Sequence, residues 1–401
     1  MQITLLDQEI DRGYLNDLVQ KALDRPALEI AGWEVQSLHG GFEWDTAVFR
    51  LRGEAKEAGE MLPWSLIVKA VQPSKKAQEP GGIWYWKREA LAYLSGLLHR
   101  LPGGSLTAPA CYEVQERPDG ATWLWMEDVR DDVPNPWTVE QYAVAARHLG
   151  QFNGAYLTGQ TIPAEPWMPH NWLRQYVEHA AQSIAFIRRE PYHPMVQHMF
   201  PGIVHAQILA AWDEHERTLD VLESLPQVLC HQDAFRRNLF ARRGKTVAID
   251  WGYMGNAPVG AELVALIAAS LGFWEISADQ VLELDRLCFE GYLQGLRDAG
   301  WNGDARLVRT GYAVTLMLRY PIGGQVGELV PAMLDQAGRA HVESGFKDKT
   351  ADELEKTDPA ILAYYEKMLP EAFKLLGMGR MLRMYSSIGL HALRLSLGKK
   401  K

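Results

Sequence analysis

Cysteine is scarce in this sequence. Cys111, Cys230 and Cys288 lie far apart, with no paired spacing of the kind a zinc site or a disulfide framework needs, and they suit a reducing cytoplasm. Long apolar runs are missing too. The greasiest stretch, 259–273, is interrupted by Glu262 and reads as a buried helix rather than a membrane span. Residues 1–30 carry Asp7, Glu9, Asp11 and Asp17, and no uncharged apolar run follows a basic start, so no secretory signal is readable there. Positive charge is in the minority, with 41 basic against 50 acidic side chains, a net charge of −9, and no basic block before Lys399–Lys401. That balance argues against duplex nucleic acid as a partner. Internal repeats and low-complexity tracts are also lacking.

What is present is enough chain for more than one core: 401 residues favour two packed lobes. The 14 tryptophans, including Trp84, Trp86, Trp123, Trp125, Trp167 and Trp172, are assigned to packing and carry no site. Apolar and polar residues alternate over 33–38 and 46–51 on either side of Gly40-Gly41, predicting two strands around a glycine turn. A third strand is predicted over 64–71. Ala90, Tyr93, Leu94, Leu97 and Leu98 recur at helical spacing, predicting a helix over about 84–99. Residues 112–115 and 122–126 flank a Pro-Asp-Gly turn and predict a hairpin. Beyond Asp128 the period becomes helical, over 139–157, 172–188 and 204–225, then in three or four helices from Val259 onward. Short apolar runs around a polar cluster interrupt it between Gln227 and Asp250.

That polar cluster is His231-Gln232-Asp233-Ala234-Phe235-Arg236-Arg237-Asn238, and Asp250-Trp251-Gly252 follows it, with Asp250 twelve positions after Asn238. Upstream, Lys69 sits inside the apolar run 66–71, where a charged ammonium needs a partner or a ligand. Glu89 follows 20 residues later on the predicted helix. Taken singly, a snorkelling lysine and a solvated glutamate are ordinary features. Their order and spacing relative to the downstream cluster give them a joint meaning.

In this order the sequence resembles the aminoglycoside phosphotransferase and choline kinase superfamily, whose members, like protein kinases, place an H-x-D-x-x-x-x-N loop ahead of a D-x-G turn. The resemblance covers about 33–272. It implies an α+β, bilobal protein-kinase-like fold: a small antiparallel-sheet lobe with one helix, residues 1–127, and a larger, mainly helical lobe, 128–401, carrying the catalytic loop and the acceptor-binding helices. It implies ATP, or another nucleoside triphosphate, and magnesium as cofactors. Lys69 and Glu89 would position the nucleotide phosphates, and Gly40 and Gly41 would lie in the loop covering them. At the junction between lobes, around Met126, Glu127 and Val129, backbone groups would bond the adenine and Met126 would border its ring. Asn238 and Asp250 would hold magnesium, a hard cation that prefers oxygen ligands. Asp233 would accept the proton of the acceptor hydroxyl, His231 would fix the loop, and Arg236 would reach the γ-phosphate.

Two readings of Glu262 stay open, a brace for the catalytic loop or a carboxylate favoured by a helix N-terminus. The acceptor is expected to be a small molecule, with neither nucleic acid nor membrane as partner. Eleven residues separate Asp250 from Glu262, too few for a peptide-docking activation segment. Gln232 also stands where phosphorylation-dependent protein kinases carry an arginine. Aminoglycosides, other antibiotics or natural products, sugars and amino alcohols all remain open as acceptors. The rival readings are a silent nucleotide-binding pseudokinase and an atypical protein kinase. Joint retention of Lys69, Asp233, Asn238 and Asp250 argues against the former.

Overall fold

The computed structural model describes residues 10–38, 46–74, 77–345 and 349–378. Gly40 and Gly41, expected in the phosphate-covering loop, lie outside the described residues. The chain separates into two compact units. One holds the described residues up to Val133 together with Pro166–Met168 and Leu239–Tyr253. The other holds Pro134–Glu165, Pro169–Asn238 and the described residues from Met254 onward. The units are thus discontinuous in sequence.

The first unit is built on five antiparallel strands, β1 Glu29–Leu38, β2 Thr46–Glu57, β3 Glu60–Val71, β5 Cys111–Glu116 and β6 Thr122–Glu127, in the order β1-β2-β3-β6-β5. Ala58 and Gly59 connect β2 to β3 with φ of 49° and 90°, the left-handed pair that a two-residue hairpin needs to match strand twist. Helix α1, Arg12–Leu23, covers one face of the sheet, and Leu15, Leu18 and Val19 pack there with Phe49, Leu51, Leu66, Val68, Trp123 and Trp125. Side chains alternate between faces along a strand, so Lys69, which pairs with Val48 and Leu124, points to the other face, as does Met126 opposite Ile67.

Helix α2, Arg88–Leu94, is shorter than the predicted 84–99. Gly96, at φ 73°, takes the left-handed conformation that closes helices, and its N–H bonds Tyr93 O at 2.9 Å. A parallel strand pair, β4 Leu106–Thr107 with β9 Lys245–Ala248, and the antiparallel partner β8 Leu239–Arg242 complete this unit.

The second unit is mainly helical. Helix α3, Val139–Leu157, opens on a capping box between Thr138 and Gln141 and lies against α4, Val281–Asp298, at unusually close range. A Cβ at Gly150 would fall 2.2 Å from Tyr292 O, and one at Gly295 would fall 2.0 Å from Arg147 O. Glycine is therefore required on both helices. The buried Asp285 on α4 accepts from Arg309 and Tyr312 of α5, Ala305–Leu318, and from Lys367 of α6, Pro359–Leu375. That network joins the three helices.

Two predicted helices are each broken in two. The 172–188 run divides into Trp172–Glu178 and Ala181–Arg189, where a Cβ at Gly327 would meet the His179 ring at 2.7 Å. The 204–225 run divides at Glu214, where the His215 ring stacks on Trp212 and bonds its carbonyl at 2.5 Å. Packing partners distant in sequence, or a side chain replacing a helical N–H, override local periodicity at both sites. The apolar stretch containing Leu263, Leu266 and Leu271 is fully buried, with a π-helical segment over Ala265–Ala269. Among the described residues no helix is long and apolar enough to cross a membrane.

Candidate active site

The first unit concentrates charge beneath its sheet. Lys69 Nζ donates to Glu89 Oε2 at 2.6 Å and to Asp250 Oδ1 at 2.7 Å. Burial works against the ammonium, but the carboxylates of Asp250 and Glu89 more than offset it, so its pKa stands above the ordinary lysine value. Glu89 also reaches the D-x-G turn directly, because its Oε1 accepts the Trp251 N–H at 3.2 Å. Asp250 has φ 64°, in the left-handed region that non-glycine residues occupy at a cost of about 1–3 kcal/mol and that recurs at functional sites. Three residues expected to act together, Lys69, Glu89 and Asp250, are brought together here.

Arg88 was not singled out by sequence reasoning, yet it organises this cluster. Its side chain is fully buried. Nε donates to Trp167 O at 3.0 Å, Nη1 to Ile83 O at 2.8 Å and Gly252 O at 2.6 Å, and Nη2 to Gly82 O. One guanidinium thereby ties α2 to the Asp250-Trp251-Gly252 turn, using backbone acceptors that leave no mark in a sequence. The available hint is weak: an arginine beside Glu89 on a seven-residue helix.

At the end of β6, Met126 and Val129 are buried. Glu127 N donates to Ala110 O at 2.9 Å, and the Glu127 carboxylate pairs with Arg242. Asp128 forms a two-pronged ion pair with Arg50 at 2.9 and 3.0 Å, the strong geometry for such a pair.

In the second unit, β7 Gln227–Cys230 pairs with β10 Gly255–Pro258, and the loop 231–238 follows directly from its end. Asn238 Nδ2 donates to Asp233 Oδ2 at 2.9 Å and to Asp233 O at 3.0 Å, which fixes the aspartate side chain. His231 is fully buried, and its Nδ1 accepts the Asp233 N–H at 3.2 Å, so it acts within the loop. The Tyr320 phenol is pushed up by burial, and the Asp233 carboxylate adds to the shift. Arg236, expected at the γ-phosphate, is only 7% exposed, with Cζ 4.2 Å from the Trp137 ring centroid and Nη2 3.2 Å from Asn135 Oδ1. Its guanidinium is engaged in packing.

The two readings of Glu262 are resolved by its partners. The carboxylate is fully buried and accepts the N–H of His231 at 2.8 Å and of Gln232 at 3.2 Å. Glu262 opens a continuous helical run that extends to Gly272, but its two oxygens are taken by the loop N–H groups. Glu262 is a brace. Burial raises its pKa to about 6, against the lowering effect of the hydrogen bonds it accepts.

Asp233 and Asn238 belong to one unit, while Lys69, Glu89 and Asp250 belong to the other. The boundary falls between the consecutive residues Asn238 and Leu239. Among the described residues no group of three or more His, Cys, Asp or Glu side chains forms a metal cage.

Residues 86–301 match the model of the phosphotransferase enzyme family. No curated protein matches the chain. Among solved structures, the chain is similar to an amicoumacin kinase in complex with AMP-PNP, Ca2+ and Ami, at 18% identity and TM-score 0.48, covering 90% of this chain and 96% of that one. It is similar to an aminoglycoside phosphotransferase from Streptomyces rimosus, at 18% identity and TM-score 0.43, over 78% of this chain and 99% of that one. It is also similar to a spectinomycin phosphotransferase in complex with ADP and its antibiotic, at 14% identity and TM-score 0.46, over 89% of this chain and 99% of that one.

Proposed function

The chain belongs to the phosphotransferase enzyme family, and we propose that it transfers the γ-phosphate of ATP, or of another nucleoside triphosphate, to a hydroxyl of a small molecule with magnesium as the metal. The observation that carries this reading is the Lys69 ammonium held between Glu89 and Asp250. A cation fixed by two carboxylates on rigid elements is aimed before substrate arrives, which is how electrostatic preorganisation lowers a barrier. Lys69 grips the nucleotide phosphates and Glu89 keeps it in place. Asp233, its rotamer set by Asn238, accepts the acceptor's proton as the hydroxyl attacks. Arg236 supports the loop by stacking on Trp137. Met126, Glu127 and Val129 border the adenine.

The donor chemistry fits magnesium. Asn238 spends its amide nitrogen on Asp233, which leaves its amide oxygen as the atom a cation would use, and the Asp250 side chain is 38% exposed. Two such oxygen donors suit a hard cation that takes its other ligands from phosphate and water. When bound, magnesium supplies charge neutralisation for the transferring group.

A small acceptor is favoured because the eleven residues between Asp250 and Glu262 are consumed by a 3-10 turn, Trp251–Tyr253, and by β10 in its pairing with β7. No length is left for a peptide-docking platform. We place the reaction in the cytoplasm. The deciding experiment assays phosphate transfer from ATP, with and without magnesium, to aminoglycosides, macrolides, choline-like alcohols, sugars and a generic protein. Magnesium-dependent transfer to a small molecule is expected. Transfer to protein alone, or nucleotide binding without turnover on any acceptor, overturns the proposal.

A further inference from the structure

Gln232, the residue before the proposed catalytic base, has φ 68°, a left-handed conformation unfavourable for a residue that bears a side chain. Such a backbone persists only where its surroundings over-determine it. The surroundings here are two buried charges of opposite sign. Glu262 Oε1 accepts the Gln232 N–H at 3.2 Å. From the other side, Arg319 Nη2 donates to the Gln232 carbonyl, and Nη1 approaches Gln232 Oε1 at 3.4 Å. The backbone donor and acceptor of one residue are thus each held by a charged side chain from a different element.

Arg319 is only 7% exposed. It opens an eleven-residue π-helical segment, Arg319–Leu329, immediately after α5, and such wide turns are rare and frequent at functional sites. Its Cζ lies 4.7 Å from the ring centroid of Trp172 and 5.6 Å from that of Tyr320. A flat guanidinium satisfies both requirements at once, stacking on the indole while directing two N–H groups at the two oxygens of Gln232. An ammonium in the same place has no plane to stack. Arg319 lies beyond residue 301, where the family match ends.

We propose that Arg319 is a positioning residue for phosphoryl transfer. It holds the Gln232 carbonyl, keeps the left-handed backbone in place, and so sets the direction from which Asp233 meets the acceptor hydroxyl. Its seat on Trp172 makes that direction depend on the C-terminal π-helical segment and on the Trp172–Glu178 helix. This inference rests on the functional reading above in taking Asp233 as the base.

The test uses the full chain with Arg319→Lys and Arg319→Met, with Arg319→Ala for chemical rescue, and reads amide hydrogen exchange over 231–238, kcat, nucleotide affinity and Tm. Exchange in the loop should accelerate about tenfold or more in both variants while the β1–β6 sheet exchanges as before. For a displaced catalytic group, kcat should fall roughly 10- to 100-fold, with nucleotide affinity within twofold of the parent. Guanidinium ion added to Arg319→Ala should restore part of kcat. Parental loop exchange and kcat in Arg319→Lys overturn the proposal, as does a loss of nucleotide affinity that tracks Tm in every variant. Should the methionine variant not fold, the lysine variant decides. An inactive parent chain would refute the functional reading, while the exchange measurement would still judge whether Arg319 holds the loop.

Discussion

Lys69 and Asp250 are 181 residues apart in sequence, and Lys69 Nζ stands 2.7 Å from Asp250 Oδ1. Glu89 completes the arrangement by taking the same ammonium through one oxygen and the Trp251 N–H through the other. The D-x-G turn is therefore anchored to the sheet through charge and to α2 through a backbone bond.

Lys69→Met leaves Glu89 and Asp250 facing each other without their shared cation. Removing one partner of a buried ion pair typically costs about 3–5 kcal/mol, and a shift of that size is expected in denaturant unfolding, together with loss of measurable nucleotide binding. Glu89→Gln should cost less, because the amide oxygen still accepts from Trp251 N. Equal destabilisation by the two changes would contradict the bridging geometry.

Asp233 and Asp250 separate into chemistry and binding. Asp233→Asn keeps the Asn238 contact but removes the proton acceptor, so kcat should drop by about 10² to 10⁴ while calorimetric nucleotide affinity persists. Asp250→Ala should weaken nucleotide binding chiefly when magnesium is present. Identical affinities with and without magnesium in the parent protein would remove Asp250 from the metal.

Arg88→Met deprives four backbone carbonyls of one buried donor group. An unsatisfied buried acceptor costs about 1–3 kcal/mol, so a multi-kcal/mol loss of stability is expected. Amide exchange across residues 250–253 should rise before that of the sheet core. Uniform exchange changes across the unit would show that Arg88 serves general packing instead of the turn.

Glu262 gives the pH dependence a definite sign. Burial lifts its pKa from 4.5 to about 6, so the folded chain binds this proton more tightly than the unfolded chain. The stability it contributes is complete below about pH 4.5 and is lost as pH rises through about 6, a change of about 2 kcal/mol. Glu262→Gln should flatten that part of the curve in urea unfolding measured from pH 4.5 to 7. A parental slope retained in the variant would assign the titration to another group.

The strands, the α3 helix and the order of the charged motifs were legible in the sequence because they depend on local regularities. Period-two alternation marks β1 to β3, and a lysine within an apolar strand signals a missing partner. A polar loop with a fixed histidine, aspartate and asparagine spacing carries the family resemblance without any fold. Boundaries were less legible: Gly96 stops α2, and the His179 and Glu214 breaks depend on what packs against those helices.

By itself the sequence determined which residue types are available for phosphate, metal and proton chemistry, and in what order they occur. Only the tertiary structure decided that Glu262 braces the loop, that Arg236 lies on Trp137, and that Arg88 and Arg319 hold the two motifs from outside. The physical reason is common to these cases. Their partners are backbone N–H and C=O groups or ring faces brought close by folding, and since every residue carries the same backbone groups, no residue code records which of them a distant charged side chain will find.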